Sequence, residues 1–388
     1  MKKMKRVLSL LVVMSMAVVS LAACGTKTGG ASKDDKFYIG GIGPVTGGAA
    51  VYGINVKNAA ELAVEEINKA GGINGKQIEF KFEDDEHDAE KSVNAYNTLK
   101  DWGMKILMGT VTSTPSKAVA AETFNDNMFE LTPSASSVDV IANGNVFQVC
   151  FTDPNQGIAS AQYIGSKGIA TKVAVIYDSS DVYSSGIYEK FAQEAANQKF
   201  AIVAAEAFTA DSKSDFSVQI QKAKDAGAEL VFLPIYYSEA TLILTQAASL
   251  GYDPIFFGCD GLDGILGVEN FDTSLAEGVM LLTPFAADAT DEATVKFVTA
   301  YKEKYGDTPN QFAADAYDAI YIIKKAIEEG KVTPDMSISD MCDILKDTMT
   351  KITVDGLTGE GMTWSATGEV NKAPRAVIIE NGSYVSAE

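Results

Sequence analysis

Within residues 106–137, two short apolar runs each end in a hydroxyl-rich turn, and this repeat constrains the fold more than any other stretch. The first run, Ile106-Leu107-Met108-Gly109, leads into Thr110-Val111-Thr112-Ser113-Thr114-Pro115-Ser116. An amphipathic segment over residues 117–127 follows, then Met128-Phe129-Glu130-Leu131 and a second turn, Thr132-Pro133-Ser134-Ala135-Ser136-Ser137. The pattern predicts strand, turn, helix, strand, turn. In an open parallel sheet both turns lie at the carboxyl ends of adjacent strands, where such sheets bind ligands. Thr112 and Ser113 are placed to cap the helix and to leave its first amides, at the positive dipole end, facing a small anion. Pro115 suits the helix start, where its missing N–H costs nothing. Two such turns side by side can hold a carboxylate without Arg or Lys. A plainer reading is that the hydroxyls only cap helices.

The alternation extends in both directions. Residues 37–43 read as a buried strand, 51–70 as a long helix ended by Gly71-Gly72, 77–82 as a strand and 89–102 as a helix. The register changes over residues 146–155, where a short apolar run at 147–151 is followed by a helix start at Thr152-Asp153-Pro154-Asn155. Strands at 172–177, 202–208, 230–234 and 254–258 then alternate with helices at 184–199, 216–226 and 238–250, a second unit of similar size. Helices at 292–305, 311–329 and 338–351 come next, and a Gly-rich, strand-like tail closes the chain. Such alternation argues for parallel sheets with helices on both faces. The length of 388 residues suits about two domains.

Residues 1–23 form a segment to be set aside before folding. Lys2, Lys3, Lys5 and Arg6 precede an apolar core at residues 7–19, and Leu21-Ala22-Ala23-Cys24 closes it. That is the pattern of an export signal rather than a membrane span. Residues 24–36 read as a flexible tether. The formal net charge of −20 excludes nucleic acid as a natural partner. Cys150, Cys259 and Cys342 have neither metal-ligand nor redox-motif spacing and are expected to be mostly or wholly free thiols.

Catalytic signatures are missing. There is no G-x-S-x-G, H-E-x-x-H or Walker A sequence. His87 is the single histidine and lies in the acidic run Glu83-Asp84-Asp85-Glu86-His87-Asp88, which reads as a solvated loop. Triad or multi-histidine metal chemistry would have to use it, so the chain reads as a non-enzyme needing no cofactor or metal. Gly41-Ile42-Gly43 begins a dinucleotide fingerprint, but Thr46 stands where the third Gly belongs. Tyr52, Tyr183, Tyr236 and Tyr237 read equally as core aromatics. Asp260 follows a buried strand at a carboxyl end, where its charge needs a partner unless it caps a helix.

In this order the residues resemble a known family, the branched-chain amino acid (leucine/isoleucine/valine) substrate-binding lipoproteins of ABC importers. The landmarks are Gly43-Pro44-x-x-Gly47 with Tyr52-Gly53, Ala70-Gly71-Gly72-Ile73-Asn74-Gly75, and Asp84-Asp85. Further on come Ser113, Thr132-Pro133-Ser134-Ala135-Ser136, Tyr183, Tyr236, Gly258-x-Asp260-Gly261 and Met362-Thr363-Trp364. The resemblance implies a type I periplasmic-binding-protein-like α/β fold, two doubly wound parallel-sheet lobes joined by three crossovers. Lobe one is then 37–151 plus 284–355, and lobe two 152–283 plus 356–388. It further implies that the ligand lies in the cleft between the lobes. Its carboxylate falls to Ser113 and Ser136, and its ammonium to the Ser134 carbonyl, Ser136 and Asp260. Ala135 lies within the same turn, and Tyr52, Tyr183, Tyr236 and Phe312 shape the pocket around the side chain.

Leu21-Ala22-Ala23-Cys24 resembles a lipoprotein box, which implies a lipid anchor at Cys24 on the extracytoplasmic face of the membrane. The implied partners are an amino acid and an ABC permease, with the protein itself a monomer. Two features depart from the family. A disulfide common in its members would link positions that match His87 and Thr112 here, and Asp260 stands where a longer Glu is found. A related ligand (an amide, urea or an aromatic acid), a sensory-receptor role, and an extracytoplasmic hydrolase are the alternatives to amino acid transport.

Overall fold

The computed structural model describes residues 35–387; the expected signal segment, Cys24 and most of the tether lie outside them. The chain forms two sheets. In the first, β1 (Lys36–Gly43), β2 (Gln77–Asp84), β3 (Ile106–Gly109), β4 (Phe129–Thr132) and β5 (Val146–Gln148) run parallel in the order β2-β1-β3-β4-β5. In the second, β6 (Lys172–Asp178), β7 (Ala201–Phe208), β8 (Leu230–Leu233), β9 (Ile255–Gly258) and β10 (Met280–Thr283) are parallel. The order β7-β6-β8-β9-β10 repeats that of the first sheet. The antiparallel β11 (Arg375–Glu380) and β12 (Ser383–Ser386) extend it.

The helices between strands are α1 (Ala50–Lys69), α2 (Ala89–Trp102), α3 (Ser113–Asn125), α4 (Asp153–Lys167), α5 (Val182–Ala195), α6 (Ser217–Asp225) and α7 (Tyr237–Ser249). After β10 come α8 (Glu292–Tyr305), α9 (Gln311–Gly330) and α10 (Ile338–Met349). The small buried residues of α9 (Ala313, Ala316, Ala319) and of α1 (Ala59, Ala60, Ala63) let these two helices pack closely, which returns the chain to the first sheet's side. The strap over residues 354–372 stays there before β11 rejoins the second sheet. Trp364 Nε1 donates to Gln148 O at 2.8 Å, and Lys372 Nζ pairs with Asp315 Oδ1 of α9 at 2.7 Å with both side chains 2% exposed.

Three local expectations shift. The helix expected over 117–127 begins at Ser113, so Ser113, Thr114 and Pro115 form its first turn. Thr112 is its N-cap residue, yet its side chain bonds no amide of the helix. The apolar run 147–151 pairs only as far as Gln148, because the chain then leaves the sheet for α4. Cys150, Cys259 and Cys342 are free and buried, as the spacing implied.

Strand order sets the site. Each sheet reverses direction of winding at its first strand, between β1 and β3 and between β6 and β8, and ligands bind at the carboxyl ends beside such switch points. The loops leaving those ends carry residues 44–49 and 110–112 in the first sheet, and 179–181 and 234–236 in the second.

Candidate functional site

The two sets of loops face each other across one cleft. A small cavity there is lined by Tyr52, Val111, Thr112, Ser113, Ser134, Tyr183, Tyr236, Asp260, Gly261 and Phe312. Seven of the residues singled out in the sequence therefore meet: Tyr52, Ser113, Ser134, Tyr183, Tyr236, Asp260 and Phe312. Ala135 and Ser136 are buried in the same turn but do not line the cavity. Both backbone groups of Ala135 are engaged, its N–H with Thr132 Oγ1 at 3.0 Å and its carbonyl with Gln148 Nε2 at 2.7 Å.

Asp260 is 4% exposed and opens a single 3-10 turn after β9, so its carboxylate does not cap a helix. Tyr183 Oη donates to its Oδ1 at 2.7 Å and accepts Gly261 N–H at 2.9 Å; Gln156 Oε1 accepts the Asp260 N–H at 3.1 Å. Gly261 is required by this arrangement, since a Cβ there would stand 2.6 Å from the Tyr183 hydroxyl. Burial pushes the Asp260 carboxyl up to about 7, and the Tyr183 hydrogen bond opposes that rise. A bound cation would remove the penalty by supplying the missing counter-charge.

Aromatic rings close the space. Tyr183 and Tyr236 stack at 4.8 Å between centroids, and Tyr52 meets Phe312 at 4.3 Å. The residual cavity is about 10 Å³, on the scale of a single water. Ligand entry thus requires the rings or the lobes to move. The hydroxyl of Tyr52 serves the joint itself, donating to Gly261 O and accepting from Tyr237 N–H. Thr114 Oγ1 donates to Asp181 Oδ1 at 2.7 Å, and the Val51 N–H donates to Tyr237 Oη at 3.0 Å.

His87 is not a solvated loop residue. Glu86 and His87 both adopt left-handed backbone (φ 50° and 60°), and the His87 N–H is held by Asp85 Oδ1 at 3.0 Å. This turns the ring toward the cleft, where Nδ1 lies 2.8 Å from Thr112 Oγ1 and the ring meets Tyr236 edge-on at 5.4 Å. Burial lowers its pKa, and the Asp181 charge opposes that shift. The two positions matched to the family's disulfide are therefore joined by a hydrogen bond. Pattern missed this because a charge run reads as wet throughout, whereas Asp85 within it is fully buried and the left-handed turn carries the ring inward. It also missed Gln156 and Asp153, which lie at the start of α4 beside Asp260.

A closed interlobe cleft, aromatic on its walls and with a buried carboxylate on one side, is the architecture of a solute-binding protein. Comparison with known proteins agrees. Residues 36–383 match the family described as periplasmic binding protein, and the chain belongs to that family. It is 34% identical to the Leu/Ile/Val-binding protein homolog 3 of Brucella melitensis, over 76% of this chain and 80% of that protein. It is 30% identical to the leucine-, isoleucine-, valine-, threonine- and alanine-binding protein of Pseudomonas aeruginosa, over 78% and 80%. Among solved structures it resembles the branched-chain amino acid transporter substrate-binding protein LivJ of Streptococcus pneumoniae in complex with isoleucine. That match has 28% identity and a TM-score of 0.82, covering 91% of this chain and 99% of that one.

Proposed function

We propose that this protein captures a small α-amino acid, of the branched-chain aliphatic type, and delivers it to an ABC importer in the membrane. The observation that carries the reading is Asp260. It is a buried carboxylate in the same enclosed cleft as the hydroxyl turns at Ser113 and Ser134, and the strongest charge acting on it, Asp315, is also acidic. A zwitterion brings its own ammonium to such a site and needs no Arg or Lys for its carboxylate. The names of the relatives support the same ligand class.

Ligand contacts follow. Ser113 and Ser136 take the carboxylate; the Ser134 carbonyl, Ser136 and Asp260 take the ammonium; Tyr183, Tyr236 and Phe312 bound the side chain, with Ala135 holding the turn. Capture proceeds by hinge closure. Residues 37–151 and 284–355, with the strap to 372, move against 152–283 and the two tail strands, about points near 151 and 284 and a third between the strap and β11 rather than near 355. The protein acts as a monomer, tethered on the extracytoplasmic face by a lipidated Cys24, and has no enzymatic step.

A thermal-shift panel tests the ligand class. Leucine, isoleucine and valine should raise the melting temperature, while 4-methylpentanoate, benzoate, acetamide and urea should not. Stabilisation by the acids or amides alone would overturn the reading. Intact-mass analysis of the membrane fraction tests the anchor, which predicts a mature start at a diacylated Cys24.

A further inference from the structure

Beside the crossover that follows β10 lies a second interlobe cavity of about 430 Å³, within the size range of small-molecule sites. From the first sheet's side it is lined by Val51 of α1, Phe285 and Asn310, and from the second by Asp263, Leu266 and Tyr384. It shares no lining residue with the ligand cleft, yet the same three elements border both. On α1, Tyr52 lines the cleft and Val51 the cavity. On the turn after β9 the corresponding residues are Asp260 and Asp263, and at the start of α9 they are Phe312 and Asn310.

Two polar groups of this cavity lack a full set of partners. Asp263 is 3% exposed, and its Oδ2 accepts the Gln311 N–H at 2.9 Å. Burial pushes its carboxyl up to about 7; no cation is among the groups acting most strongly on it, and the charge of Asp315 adds to the rise. Asn310 caps α9, its Oδ1 accepting the Ala313 N–H at 3.2 Å, which makes the other end of the amide the donor. That donor, Nδ2, is buried without an acceptor. Gly264 leaves space beside it: φ there is 108°, and a Cβ would stand 3.3 Å from Asn310 Nδ2 and 2.9 Å from Val51 Cγ1. Asp288 and Asp307 at the exposed mouth, with Asp263 inside, set three carboxylates against the one ammonium of Lys302. A buried carboxylate without a cation and a buried donor without an acceptor are both disfavoured, and one ligand carrying both complements would satisfy them.

We propose that this cavity is a second ligand site, for a small organic cation with a primary ammonium, a short apolar stem and a hydroxyl or carbonyl acceptor, and that its occupant favours the closed lobes. The ammonium meets Asp263, the stem lies against Val51, Leu266 and Phe285, and the acceptor takes Asn310 Nδ2. The walls come from both lobes, so rotation about the crossovers changes their separation, and an occupant fitted to the closed arrangement holds it. Coupling is reciprocal: the cation tightens the cleft ligand as much as the cleft ligand tightens the cation. The route is short, since Gln311 donates its backbone N–H to Asp263 and its Nε2 to Asp260 O at 2.9 Å. The site goes beyond the transport reading, and only its coupling to capture rests on that reading.

Calorimetry with tyramine and 5-aminopentan-1-ol, on the ligand-free and the leucine-saturated protein, tests this. Both amines should bind the leucine-saturated protein, whose cleft is filled, and N-acetyltyramine, which has no ammonium, should not. Asp263→Asn keeps an acceptor for the Gln311 N–H and should weaken both amines by about tenfold or more. Ala287→Trp fills the cavity from its lining and should abolish their binding, with a cooperative melt showing that the variant folds. Saturating tyramine should tighten leucine by about fivefold or more. No binding of either amine, or equal binding by wild type and Ala287→Trp, overturns the site; an unchanged leucine affinity overturns the coupling. If the protein binds no amino acid, the transport reading falls by itself. The cation site then stands if the ligand-free Asp260→Ala variant still binds the amines and Ala287→Trp does not, and it falls if Asp260→Ala abolishes their binding.

Discussion

The Tyr52 hydroxyl, carried by α1 beside the first sheet, donates to the carbonyl of Gly261 beyond the second sheet. The same oxygen accepts the Tyr237 N–H at 3.1 Å. One side-chain atom thus fastens two loops of the second lobe to a helix of the first. Tyr52→Phe would leave the Gly261 carbonyl and the Tyr237 N–H unpaired in the closed form, at about 1–3 kcal/mol. Affinity should fall by about tenfold for every ligand, with the leucine-to-valine ratio unchanged in a competition assay. A changed ratio at constant affinity would return Tyr52 to the role of side-chain selector.

The Lys372–Asp315 pair joins the strap to α9. Lys372 Nζ also donates to Val149 O at 2.9 Å and to Thr358 Oγ1, so the ammonium has no bond to solvent to fall back on. Removing one partner of a buried pair costs about 3–5 kcal/mol. Asp315→Ala should lower the urea midpoint accordingly, and Asp315→Leu combined with Lys372→Met should recover most of the loss. Equal damage in the single and double variants would show that the strap depends on shape rather than charge.

Glu130 lies in β4 at 0% exposure, with Oε2 accepting from Thr123 Oγ1 at 2.9 Å and Oε1 unpartnered. Burial pushes its carboxyl up to about 8 from an ordinary 4.5. The folded chain therefore keeps a proton that the unfolded chain has lost. Its contribution is fully favourable below pH 4.5 and declines as pH rises toward 8. Glu130→Gln keeps an acceptor for Thr123 and has no proton to lose. Urea titrations should find the variant gaining on the wild type between pH 5 and pH 8. A constant difference across that range would mean that the carboxyl is not the titrating group.

Elements with a clear local signal were legible from residues alone. The α2 and α8 helices follow from an Asp cap before their apolar periodicity and a Gly just after it, at Asp88 and Gly103 and at Asp291 and Gly306. The strand at Ile106–Gly109 follows from an apolar run cut off by Gly. Features decided by the third dimension were not. His87 reads as charged loop until its left-handed backbone turns the ring onto Thr112 and Tyr236. Tyr52 could be placed in the cleft by resemblance, but only the contact with Gly261 shows what its hydroxyl does.

Calorimetry of the wild type and Asp260→Ala, against leucine and 4-methylpentanoate, is the sharpest test of the amino acid assignment. Truncating one member of a buried charge pair costs about 2–5 kcal/mol, so leucine should weaken by about thirtyfold or more in the variant. The des-amino acid, with no ammonium to lose, should bind both proteins alike. Near-equal leucine affinities in the two proteins would refute the assignment, because the cleft would then recognise its ligand without the carboxylate on which that assignment rests.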